Sequence, residues 1–129
     1  LIHDGARPLL SAKQITDCLS AVSGHDGVIP VLPMKDTVYC SQDGITITSL
    51  LNRDRIYAGQ APEIFYLESY YQANKCLFPE QILFINGSTE PAVMAGMDIV
   101  MIPGDENNFK ITTRADLDRF RRIVKEGMF

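Results

Sequence analysis

Cysteine is scarce in this chain, a basic excess is missing, and no apolar run is long. Each absence removes a class of function. Twelve Lys and Arg against sixteen Asp and Glu leave a net charge of −4, which argues against a nucleic-acid-binding surface. A small anionic substrate stays open, because a pocket can oppose the sign of the whole. No stretch approaches the roughly 20 apolar residues a membrane span needs, so no membrane is expected as a partner. Three cysteines, Cys18, Cys40 and Cys76, are an odd set with no CxxC spacing. They read as free buried thiols in a reducing cytoplasm rather than as a disulfide framework. No Walker loop, zinc-ligand spacing or Ser/His/Asp order can be assembled, so covalent catalysis is not expected. His3 reads as a loop or core hydrogen-bonder, and His25 as part of a polar turn.

What is present is ordinary globular composition, 46% hydrophobic and 22% charged over 129 residues, one domain's worth of chain. Leu1-Ile2 reads as the end of a buried strand that runs into the loop His3-Asp4-Gly5-Ala6-Arg7-Pro8. Ser11 to Ser23 reads as a helix, capped by Ser11 and stopped by Gly24. Gly27 to Pro33 is a continuous apolar run, the pattern of a buried parallel strand. Two β-rich runs, Thr37 to Cys40 and Ile45 to Thr48, flank Ser41-Gln42-Asp43-Gly44 as a hairpin that interrupts the alternation.

Asn52 to Phe65 reads as mostly irregular and partly extended, and Leu67 to Cys76 as a helix with Tyr70 and Tyr71 half-buried. Ile82 to Ile85 is ambiguous between strand and helical turn. Ser88 to Ala95 is expected as a helix capped by Ser88 or Thr89, and Asp98 to Ile102 as a strand. The last helix is the clearest: Thr113 and Asp116 form a box-like start, and Leu117, Phe120, Ile123 and Val124 an apolar stripe. The alternation predicts an α/β layered sheet with one inserted hairpin.

Few residues stand out chemically. A carboxylate at the tip of a strand, Asp4, has the position of a metal or ribose ligand; an ion pair with Arg7 is the plainer alternative. Arg53 and Arg55 lie in a polar loop, where single arginines are usually solvated. Lys110 follows a strand, Pro103-Gly104 and a polar run, and can hold a phosphate as a point charge or sit solvated.

Five segments occur in one order: His3-Asp4-Gly5-Ala6-Arg7-Pro8, Pro33-Met34-Lys35-Asp36-Thr37, Asn52-Arg53, Gln60-Ala61-Pro62-Glu63-Ile64-Phe65 and Asn108-Phe109-Lys110-Ile111-Thr112. The series resembles the 2-C-methyl-D-erythritol 4-phosphate cytidylyltransferases and the related D-ribitol-5-phosphate cytidylyltransferases. The resemblance implies part of a Rossmann-like nucleotidyltransferase sheet with helices on both faces. It also implies that residues 1–129 are the C-terminal part of one domain, with a β-hairpin dimerisation arm at about 34–55 and a homodimer formed through it. The family's N-terminal Gly-rich CTP loop has no counterpart here, so the chain by itself is expected not to turn over.

The implied reaction is attack by a polyol phosphate on the α-phosphorus of CTP, with Mg2+ assistance and pyrophosphate leaving. Asp4 is then implied as metal and nucleotide contact, with Arg7 beside it on the nucleotide. Thr37 and Arg53 are implied to hold the acceptor phosphate, Lys110 to orient it, and Arg53 and Lys110 to carry the catalysis. Two positions depart from the family pattern. Ala61 stands where the methylerythritol enzymes usually carry Thr, and Asn107 where they tend to have a second acidic metal ligand. Gln60 leans toward the ribitol type. Methylerythritol phosphate is the leading acceptor and ribitol phosphate the alternative. A non-catalytic α/β module that dimerises through its hairpin is the reading from a different class.

Overall fold

The computed structural model describes residues 1–128. Helix α1 (Ala12–Ala21) begins where Ser11 Oγ accepts the Gln14 backbone N–H at 3.2 Å. Strand β1 (Gly27–Pro33) follows and is the spine of the sheet. Strand β6 (Ile99–Pro103) runs parallel along one edge of it, in the register Gly27 to Ile99 through Val31 to Pro103. The opposite edge takes two short antiparallel strands, β5 (Ile64–Phe65) at its start and β4 (Tyr57–Gly59) at its end. The continuous apolar run thus marks a strand paired on both edges, but in a mixed sheet rather than a purely parallel one.

The core is small. Cys18 of α1, Val28 of β1 and Ile64 of β5 are buried together, with Ala21, Val22, Val100 and Ile102 packed against them. Helix α2 (Leu67–Lys75) continues from β5, and Phe65 stacks on Tyr70 with ring centroids 4.4 Å apart. The Tyr70 hydroxyl donates to the Ser88 carbonyl at 2.8 Å and so ties α2 to α3 (Glu90–Met94). Helix α4 (Arg114–Glu126) carries the expected capping box between Thr113 and Asp116 and ends at Gly127, which is left-handed at φ 64°. Its stripe of Leu117, Phe120 and Ile123 is half-buried, and Val124 is exposed.

Several expectations are corrected. The hairpin forms, but β2 (Val38–Cys40) pairs with β3 (Ser49–Leu51), not with Ile45 to Thr48. The cause is the turn: Asp43 Oδ1 accepts from the Ile45 and Thr46 backbone N–H groups at 2.8 and 2.7 Å, which removes both donors from any ladder. Asn52 to Phe65 is partly extended as expected, in β4 and β5, and it also holds a 3-10 turn at Arg53–Arg55. Of the two readings left open for Ile82 to Ile85, the helical turn forms, as a 3-10 turn at Gln81–Phe84. Leu1-Ile2 is not a buried strand end: Ile2 makes one isolated bridge to Glu63, and Leu1 is exposed. Tyr70 is half-buried as expected, whereas Tyr71 is exposed. Thr89 occupies the cap position of α3 without making a side-chain cap bond. All three thiols are free, but only Cys18 is buried; Cys40 is half-buried and Cys76 exposed. Burial pushes the Cys18 thiol up from its ordinary pKa.

Candidate functional site

Two clusters emerge. The first lies where the loop after Ile2 meets the loop after β6. Arg7 Nε and Lys110 Nζ both reach Asp4 Oδ2, at 3.1 and 3.4 Å. The plain alternative of an Asp4–Arg7 ion pair is therefore correct, yet Lys110 joins it. Partial burial alone would raise the Asp4 pKa, but the Arg7 hydrogen bond and the Lys110 charge hold it below the usual carboxylate value. Arg7 is well sheathed, its side chain 11% exposed, while that of Lys110 is 47% exposed. One cation is structural wiring and the other opens to solvent.

The wiring is specific. Arg7 Nη1 donates to the Asn108 carbonyl at 2.7 Å, and the Ile111 N–H donates to the Ala6 carbonyl at 2.8 Å. His3 Nε2 lies 2.9 Å from the Arg7 carbonyl, a loop hydrogen-bonder as expected. His25 pairs with Asp98 at 2.8 Å, just before β6 rather than in the loop after it.

The second cluster belongs to the arm. Thr37 and Arg53 line one open hollow of about 480 Å3 together with Leu50, Leu51, Asn52 and Asp54. Arg53 Nη1 donates to the Lys35 carbonyl at 2.9 Å, which turns the guanidinium back along the strand connection. No recorded contact joins Thr37 or Arg53 to Asp4 or Lys110. The link between the two regions is Lys35, whose ammonium pairs with Glu106 in the lysine loop. That ion pair holds Glu106, which lies next to the candidate metal ligand Asn107. Asn107 itself is exposed, and its side chain lines a separate cavity with Pro8, Leu9, Leu10, Ser11, Asp105, Ile123 and Met128.

Sequence reasoning missed Gln60 and Asn108 as a hub. Both are buried, 5% and 1% exposed, one in the stretch read as mostly irregular and partly extended, the other in the polar run before Lys110. The signal available was the Gln set between a strand and Pro62, since a polar side chain ahead of a buried X-Pro segment must find partners inside. Arg55 remains an exposed loop arginine.

For a metal ion, the donor set is sparse. Among the described residues no group of three His, Cys, Asp or Glu side chains is placed to hold one. Among the described residues, the hydrogen bond and ion pairs to Asp4 all use Oδ2. A single carboxylate oxygen suits a cation such as Mg2+ that takes one or two carboxylates and fills the rest of its shell with water and phosphate oxygens.

The family model for IspD, 2-C-methyl-D-erythritol 4-phosphate cytidylyltransferase, matches residues 1–126. The chain belongs to this family. A bifunctional enzyme IspD/IspF of Paracoccus denitrificans is 36% identical over 129 residues, which cover 99% of this chain and 33% of that protein. A 2-C-methyl-D-erythritol 4-phosphate cytidylyltransferase of Roseobacter denitrificans is 34% identical over 97% of this chain and 54% of its own length. The chain thus spans between about a third and about half of these IspD relatives. In fold it is similar to the cytidylyltransferase of Thermus thermophilus, with a TM-score of 0.83 at 24% identity, over 97% of this chain and 61% of that one. A similar likeness holds to the Francisella tularensis IspD, at a TM-score of 0.82 and 24% identity, over 93% of this chain and 56% of that one. These likenesses bear out the α/β fold. No helix among the described residues is long and apolar enough to cross a membrane.

Proposed function

We propose that this IspD-family chain carries the acceptor-binding and lysine-bearing part of a cytidylyltransferase that couples CTP to 2-C-methyl-D-erythritol 4-phosphate. The observation that carries the reading is the convergence of Lys110 and Arg7 on one Asp4 oxygen, with Lys110 left open to solvent. In-line phosphoryl chemistry asks a protein for positioning and charge neutralisation rather than for a nucleophile. Lys110 stands ready to exchange its Asp4 contact for a phosphate oxygen, and Arg7 keeps the carboxylate oriented when it does. Asp4 would be the protein's ligand to Mg2+ in this reading; Asn107, expected as a second ligand, lines a separate cavity and is given no part. The bound ion supplies charge neutralisation for the triphosphate. Thr37 and Arg53 hold the acceptor's own phosphate in the arm hollow.

The departure at Ala61 loses weight in the fold. Ala61 is buried, with its carbonyl held by Asn108 Nδ2 at 2.6 Å. A missing hydroxyl there takes no contact away from the exposed surface of the cluster. Methylerythritol phosphate is therefore preferred over ribitol phosphate as acceptor.

The arm is the proposed homodimer contact. Its apolar side chains Tyr39, Ile45, Ile47 and Leu50 are 54–89% exposed. This exposure supports coverage of the arm by a second copy in which the partner's Arg53 region completes a site.

The test is CTP-dependent pyrophosphate release by the full-length gene product, with methylerythritol phosphate and ribitol phosphate compared as acceptors. Release with the first and little with the second is expected. Release with ribitol phosphate alone would move the assignment to the alternative, and release with neither would leave the dimerising module.

A further inference from the structure

A buried side-chain amide governs where Lys110 sits. Gln60 leaves β4 and donates its backbone N–H to the Pro30 carbonyl of β1 at 2.8 Å, which fixes its Cα to the spine of the sheet. Its carboxamide then grips Asp105 as a neighbouring strand would. Nε2 donates to the Asp105 carbonyl at 2.9 Å, and Oε1 accepts the Asp105 N–H at 2.9 Å. Nε2 also lies 3.4 Å from the Asn108 carbonyl, the same oxygen that Arg7 Nη1 reaches. The lysine loop is thus pinned to the central strand at one end and to the Asp4–Arg7 loop at the other, and Lys110 emerges two residues later.

Gly104 makes room for this amide. A Cβ built there would collide with Gln60 Oε1, while its φ is one that any residue adopts. The glycine is required by a side chain rather than by the backbone.

From this the geometry points to Gln60 as a positioning residue for the reaction: its amide sets the distance between Lys110 and Asp4 and so tunes turnover, without touching substrate. The assignment rests on the cytidylyl-transfer reading above and extends it. A flexible lysine on an unpinned loop would still bind phosphate, but in many geometries, and misplacement of about 1 Å costs on the order of 100-fold in rate.

The experiment uses the full-length gene product with Gln60→Leu, Gly104→Ala, Lys110→Ala and the double variant Gln60→Leu/Lys110→Ala, with folding followed by circular dichroism. Gln60→Leu is expected to lower kcat 10- to 100-fold with acceptor KM within about threefold, and Gly104→Ala to move kcat in the same direction by displacing the amide. In the Lys110→Ala background, Gln60→Leu is expected to cost less than twofold, because a residue that acts through the lysine has nothing left to act on. An equal loss in both backgrounds would show a merely structural role and overturn the inference. Should Gln60→Leu not fold, Gly104→Ala decides alone, and near-normal kcat in that folded variant overturns it. If Lys110→Ala itself turns over normally, the cytidylyl-transfer reading fails, which is a distinct result from normal turnover in the Gln60 variant alone.

Discussion

The lysine loop and the hairpin arm are both connections rich in polar residues, yet they are held by opposite means. Residues 105–111 are fastened from outside, by Gln60, Arg7, Ala6 and Ala61, all distant in sequence. Residues 41–48 are fastened from within: Ser41 and Asp43 bond the backbone of their own turn, and every residue from Ser41 to Leu50 is exposed. A loop tied to the sheet at several points can hold a side chain to a fraction of an ångström. A loop tied only to itself moves as a unit and suits a surface that meets a partner. The difference teaches which cluster supplies chemistry and which supplies binding.

The sharpest way to break that comparison is kinetic. If Lys110 acts in the transition state and Arg53 in holding the acceptor, the two losses should partition differently. Lys110→Ala is expected to lower kcat by on the order of 100- to 1000-fold, the scale of removing one preorganised electrostatic contact. Arg53→Ala is expected to lower kcat/KM comparably, chiefly through acceptor KM. Steady-state kinetics of the full-length gene product check both. A large kcat loss for Arg53→Ala with unchanged KM would erase the division of labour.

Stability should divide the same way. Asn108→Ala removes a buried amide that bonds the Ala61 carbonyl at 2.6 Å. It is expected to cost about 2 kcal/mol, the usual penalty for deleting a buried hydrogen-bonding group, and to shift the urea midpoint accordingly. Asp43→Ala in the arm should leave the global midpoint in place while amide exchange across 41–48 speeds up. If the arm variant instead shifted the midpoint as much as Asn108→Ala, the arm would be part of the cooperative core.

The same contrast explains what was legible. Helices α1 and α4 could be read because their caps are local chemistry: Ser11 and the Thr113–Asp116 box act within four residues. Strand β1 was visible because its apolar run is long enough to need two neighbours. Its neighbours β4 and β5 were not, since two- and three-residue strands carry no period and exist only by pairing with β1. The hairpin was visible and its register was not, because one Asp43 carboxylate captures two amides and delays β3 to Ser49. Asp4, Arg7 and Lys110 could be named from the order of motifs, and the structure brings those three together. Thr37 and Arg53 share a hollow of their own, and Asn107 lies in a third place. The Gln60–Asn108 hub was hidden, since nothing in a polar heptad says which amide turns inward.

The smallest effect concerns how the lysine loop is handed on to α4. Asp116 Oδ2 accepts from the backbone N–H groups of Thr112 and Thr113, at 3.0 and 2.8 Å, and from the Thr113 hydroxyl at 2.8 Å. The Thr113 hydroxyl bond first, then the two backbone bonds, lower its pKa from 3.8 to about 2. A carboxylate lowered in the folded state stabilises it above its unfolded pKa and loses that contribution as pH falls through the folded one. The cap should therefore be intact above about pH 4 and release between about pH 4 and pH 2. Carboxyl chemical shifts across an acid titration are expected to show Asp116 titrating well below 3.8. Thr113→Ala should return it toward 3.8 and loosen the start of α4, with a loss of about 1 kcal/mol as for other N-cap deletions. In the arm, Asp43 is lowered by the same kind of backbone donation, and Thr113→Ala should leave its titration untouched. An Asp43 shift in that variant would mean that the two regions communicate through the sheet, contrary to the separate fastening argued for them.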